Sequence, residues 1–81
     1  MQTRVLFFGR LKELAGGAEQ SIEMGAGATI AELFDRFANQ TPALASFRSS
    51  VVASRNQEFA SWNTVLEPGD EIAFLPPVSG G

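Results

Sequence analysis

The sequence predicts an α+β domain: a mixed sheet of about five strands packed on one main helix, followed by a short tail. Two apolar runs, Thr3–Gly9 and Asp70–Leu75, read as strands and lie near opposite ends of the chain. Between them one long stretch, beginning at Thr29, carries clear helical periodicity. Short β-rich pieces separated by Gly, Pro and Asn make up most of the rest. With 81 residues, 44% of them hydrophobic and 19% charged, the chain suffices for one modest core and no second lobe. The sequence divides into a folded domain, residues 1–75, and a tail, residues 76–81, expected to be flexible.

The first run, "TRVLFFG", is apolar on both faces, with Val5 and Phe7 pointing one way and Leu6 and Phe8 the other. Something must cover each face. "RLKELAGG" sets Leu11, Leu14 and Ala15 at helical spacing before Gly16 and Gly17, which gives one helical turn closing into a loop. "AEQSIEM" then alternates weakly and pairs back as a second strand across this wide connection. The "GAGA" stretch lacks the third glycine and the strand-helix-strand continuation of a dinucleotide fingerprint, and it reads as a turn.

Thr29 and Glu32 form a capping box, after which Ile30, Leu33, Phe34, Phe37 and Ala38 line one helix face. Glu32, Asp35 and Arg36 fall on the solvated side, and Asn39 to Pro42 end the helix. "VVASRNQEF" gives a strand, a turn at Arg55 to Gln57 and a short strand from Glu58. Pro68 and Gly69 supply the two central residues of a type II turn before the last strand. In that strand Ile72 and Phe74 share one face, and Ala73 and Leu75 the other.

A single amphipathic helix covers one face of such a sheet. Leu6, Phe8, Ala73 and Leu75, with Phe59, are therefore left on an uncovered face, and an apolar patch of this kind marks a partner surface. The alternative is that residues 43–50 fold over it.

Composition removes several classes of function. The net charge is -3 and the six basic side chains are scattered among acids, so no basic stripe exists for a phosphate backbone and nucleic acid is not an expected partner. No apolar run approaches the ~18 residues of a bilayer span, and no leader pattern opens the chain, so a cytoplasmic protein without a membrane partner is expected. The chain has no Cys and no His. Thiol nucleophiles, disulfides, His bases and the usual zinc ligand sets are thereby excluded, and neither a bound cofactor or metal nor a self-contained enzyme is expected.

The ending, "LPPVSGG", is shaped rather than polar and frayed. Taken with the element order it resembles the ubiquitin-like β-grasp fold. More narrowly, "VLFFG", "RNQ" and "PGDEIAFLPPVSGG" are similar to the small subunits of molybdopterin synthase, the MoaD type of sulfur carrier. The resemblance spans the whole chain, is strongest over Pro68 to Gly81 and weakest over Ala43 to Ser54. The family more often has Phe where Leu75 stands.

The resemblance implies a carrier that is non-catalytic on its own. An ATP-dependent, E1-like adenylyltransferase places AMP on the Gly81 carboxylate. Sulfur then replaces one oxygen, and the thiocarboxylate donates it to cyclic pyranopterin monophosphate held by the large catalytic subunit of molybdopterin synthase, in an assembly of two small and two large subunits. Gly80 and Gly81 match the reactive diglycine, and Phe8, Phe59 and Leu75 match apolar positions that contact the large subunit. Lys12 matches a basic position near that surface, although the residues alone favour a solvated lysine. Glycines without Cβ let the backbone approach a nucleotide or pterin closely. Pro76 and Pro77 favour an extended course that loses less entropy on threading into a partner. Three other readings stay open: a carrier for thiazole synthesis in thiamine formation, a ubiquitin-like modifier joined through Gly81, and an interaction module that never activates its terminus.

Overall fold

The structure, a computed structural model, describes residues 1–76. Among them five strands form one sheet: β1 (Gln2–Phe7), β2 (Glu19–Glu23), β3 (Val52–Arg55), β4 (Glu58–Ala60) and β5 (Glu71–Leu75). Their spatial order is β2-β1-β5-β3-β4. β1 and β5 run parallel, from Arg4 opposite Glu71 to Phe7 opposite Phe74, and the other neighbours are antiparallel. The two runs from opposite ends of the chain thus meet in the middle of the sheet. One face of each, with Val5, Phe7, Ile72 and Phe74, is buried in the core, and the apolar residues of the other face lie on the opposite side of the sheet.

Among the described residues three helices accompany the sheet: α1 (Arg10–Ala15), α2 (Ile30–Gln40) and α3 (Pro42–Ala45). The capping box at the start of α2 is formed, with the Glu32 N–H donating to Thr29 Oγ1 at 3.2 Å and the Thr29 N–H donating to Glu32 Oε1 at 3.1 Å. Two more orphan donors of this helix end, the N–H groups of Ile30 and Ala31, reach the carbonyls of Thr64 and Trp62. Ile30, Leu33, Phe34 and Phe37 are buried against Val5, Phe7, Ile72 and Phe74 of the sheet. Phe34 meets Phe74 edge-on at 5.1 Å and Phe37 meets Phe7 at 5.0 Å. Each such pair adds about 0.5–1.5 kcal/mol beyond the area it buries.

The stretch from residue 43 to 50 does not fold over the outer face. Pro42 takes the first position of α3, where its missing N–H costs nothing. Leu44 is fully buried in the helix-side core, with Phe47 packed against the same cluster. The periodicity in the sequence ends at Pro42, and α3, with four residues, is too short to show any of its own. β1 also ends earlier than read, at Phe7 rather than Gly9. The Phe8 and Gly9 carbonyls accept the Leu11 and Lys12 N–H groups, so the chain is already turning into α1.

The turns follow their residues. Glu67 to Asp70 closes with a 3.1 Å backbone bond and Gly69 at φ 86°, as the Pro-Gly pair requires. Gly25 to Ala28 is a turn, its ends joined at 3.2 Å. Asn56 and Gln57, at φ 50° and 73°, make the two-residue type I′ loop of the β3–β4 hairpin.

Candidate docking face and tail exit

Residues opposite one another in a sheet share a face. The register therefore lays one row across the side away from α2: Leu6 opposite Ala73, Ala73 opposite Ser54, Ser54 opposite Phe59. Leu75 opposite Val52 forms the next row. Phe8 stands beside it, one step beyond the last β1–β5 pair, and its N–H still donates to the Phe74 carbonyl at 3.2 Å. Phe59 is 82% exposed, Phe8 46% and Val52 43%, while Leu6 and Leu75 are half-buried. An apolar strip thus crosses four strands, and among the described residues no helix covers it.

One member departs from expectation. Ala73 faces outward but is buried, because its short methyl sits on a central strand beside the larger Leu6 of its row. It forms the floor of the strip rather than a contact knob. Val52 is a member that sequence reasoning missed. The "VVAS" alternation carried the signal, since the buried Val51 and the exposed Val52 must face opposite ways.

Polar groups rim the strip. Lys12 is exposed on α1 and lines a groove with Leu6, Phe8 and Gly9, so the structure brings it beside Phe8. Arg4 bridges Glu19 at 2.8 Å and Glu71 at 3.1 Å. The hydrogen bond that it donates to Glu19, then the charges of Glu19 and Glu71, hold its guanidinium above its usual pKa.

The "RNQ" segment ties the hairpin that carries Phe59 to the start of β5. The Asn56 side chain donates to Asp70 Oδ1 at 3.1 Å and accepts the Glu71 N–H at 2.9 Å. Asp70 Oδ2 accepts the Glu67 N–H at 2.8 Å. Arg55 Nε lies 2.9 Å from the same oxygen but off the N–H axis, so that contact is ionic rather than an aligned hydrogen bond. Burial works against the Asp70 charge; the Glu67 N–H, the Asn56 amide and Arg55 together outweigh it and hold the carboxyl below its ordinary pKa.

β5 ends at Leu75, and Pro76 leaves the sheet next to Gly9. Contact with the domain therefore extends one residue past the expected boundary at 75. Pro77, Gly80 and Gly81 lie outside the described residues. Among the described residues there is no cluster of His, Cys, Asp or Glu able to hold a metal ion, and no helix long and apolar enough to cross a membrane.

A mixed sheet with a parallel central pair, wrapped around one main helix and apolar on the far face, defines a ubiquitin-like β-grasp protein whose last strand carries part of the apolar strip. More narrowly, the chain belongs to the ThiS family, whose description matches residues 5–81. A molybdopterin synthase sulfur carrier subunit of Chlamydomonas reinhardtii is 40% identical over 83 residues, covering 100% of both chains. The crystal structure of SAMP1 from Haloferax volcanii superposes with a TM-score of 0.85 at 30% identity, covering 100% of each chain. A complex of subunits 1 and 2 of the molybdopterin-converting factor from Helicobacter pylori gives 0.70 at 28% identity, again with full coverage (100%) of both chains. These likenesses support a sulfur-carrier role.

Proposed function

We propose that this chain is the sulfur-carrier subunit of a molybdopterin synthase, working in the cytoplasm in an assembly of two small and two large subunits. An E1-like enzyme spends ATP to adenylate the Gly81 carboxylate, because a carboxylate is a poor acyl donor and AMP a good leaving group. Sulfur then displaces AMP to give a thiocarboxylate, which the large subunit uses on cyclic pyranopterin monophosphate. The small subunit contributes the docking face and the sulfur-bearing end, and no catalytic side chain. Gly80 and Gly81 let that end approach the nucleotide and the pterin.

The observation that carries this reading is the continuity of the apolar strip with the strand leading to the tail: Leu75 belongs to the strip and Pro76 follows it. A partner seated on Phe8, Phe59, Val52 and Leu75 receives the tail at the edge of the same contact. The full-length likeness to named sulfur carrier subunits supports the chemistry.

Intact-mass measurement of the chain from its native host, with fragmentation, tests it. An oxygen-to-sulfur exchange confined to Gly81 is expected. A mass unmodified in every preparation, including after incubation with ATP, the activating enzyme and a sulfur donor, overturns the reading. The likeness to SAMP1, a small archaeal modifier protein, favours a second reading in which Gly81 is joined to lysines of other proteins. Conjugates of high mass that survive denaturation would establish it. The thiazole alternative predicts a thiamine requirement on deletion, instead of lost growth on a molybdenum-dependent substrate.

A further inference from the structure

Gly9 combines two features that no other glycine among the described residues shares. Its backbone stands at φ 57° and ψ -136°, a conformation that residues with a side chain rarely adopt. In addition, a Cβ built on it would lie 2.9 Å from Pro76 Cγ and 3.6 Å from Cδ. The pyrrolidine ring therefore rests on the bare Cα of Gly9. Gly16, Gly27 and Gly69 also have positive φ, but a Cβ on any of them would meet open space.

The hydrogen bonds around this contact fit together. Along the parallel pair, Phe8 donates to the Phe74 carbonyl, so the next ladder bond would run from the N–H of residue 76 to the Phe8 carbonyl. Proline has no N–H, and the bond cannot form. The Phe8 carbonyl accepts the Leu11 N–H instead, at 3.1 Å, which starts α1. One residue thus ends the ladder while the residue opposite turns the neighbouring strand away.

We infer that Gly9 and Pro76 form a joint that fixes the direction in which the chain leaves the sheet, making Gly9 a positioning residue for the reactive end. This rests on the carrier reading above. A side chain at position 9 displaces the ring. An alanine at position 76 restores an N–H that extends the ladder along β1 and competes with Leu11. Either change redirects the exit without altering the docking strip.

Steady-state ATP–pyrophosphate exchange by the cognate activating enzyme tests the joint, with the whole chain as substrate. For Pro76→Ala and for Gly9→Ala, kcat falls about 10- to 100-fold, the scale expected of a reacting group misplaced by an ångström or so. KM stays within about twofold, because domain docking is unchanged. A variant that had merely lost structure would not show this split, and Gly17→Ala, at a position with open space, serves as the control. If Gly9→Ala fails to fold, Pro76→Ala decides alone. Wild-type kcat in a folded Pro76→Ala variant overturns the inference. So does the absence, in the free wild-type chain, of a nuclear Overhauser contact between Gly9 Hα and the Pro76 ring. That measurement is independent of activity, so an inactive wild-type chain that shows the contact refutes the carrier reading and leaves the joint intact.

Discussion

Asp70 is 5% exposed, yet its surroundings favour the charged form. Burial alone would push its pKa up; the Glu67 N–H, the Asn56 amide and Arg55 reverse that and leave it lowered. Its folded value therefore lies below the unfolded value of about 3.9. The stability this linkage contributes is fully present above the unfolded value and is lost as pH falls through the folded one. Asp70→Asn keeps the shape and removes the charge, and we expect it to cost about 1–3 kcal/mol near neutrality. Urea unfolding at about pH 7 and about pH 2.5 checks this: the gap between wild type and variant narrows in acid. An equal gap at both would show that the carboxylate charge plays no part. Arg55 and Asn56 were visible in the sequence as a turn. Their contacts with Asp70, 15 and 14 residues away, were not, because a side-chain contact across strands leaves no local spacing to read.

The β3–β4 hairpin shows how one element holds a strained loop for the sake of a distant contact. Both central residues have positive φ, and a type I′ loop is best served by Asn-Gly. Asn56 is committed to Asp70 and Glu71, but among the described residues the Gln57 side chain has no hydrogen-bond partner. Gln57→Gly should therefore stabilise the domain by about 0.5–1 kcal/mol, seen as a higher urea midpoint at unchanged m. A lower midpoint would mean that glycine's extra freedom in the unfolded chain outweighs the relieved strain. Elements of this kind were legible from the chain wherever the cue was local. The Thr29–Glu32 box, the helix face from Ile30 to Phe37 and the Pro68-Gly69 turn all stand as read. α3 escaped because four residues headed by proline cannot display a helical period. The outward sense of Phe8 and Leu75 followed from alternation. Ala73 was misjudged because alternation gives a direction and says nothing of the height of its neighbours.

At the scale of the whole molecule, every helix among the described residues packs on one side of the sheet and leaves the apolar strip uncovered. β4 is an edge strand, so Phe59 at 82% exposure extends the strip to the margin of the sheet, where it gives the fold little. Phe59→Asp should then leave unfolding within about 0.5 kcal/mol of wild type, as exposed substitutions do. Under the proposed function, its affinity for a large synthase subunit should fall about 10- to 100-fold, the loss expected when a buried aromatic anchor becomes a charge. Calorimetric titration together with thermal unfolding reads both quantities from one preparation. Unchanged affinity would confine the docking face to β1, β5 and β3 and remove β4 from it. Joint loss of affinity and stability would show instead that Phe59 supports the hairpin held by Asn56. The separation of the two effects is what a docking face predicts, because its side chains are arranged for a surface that the folded chain alone does not provide.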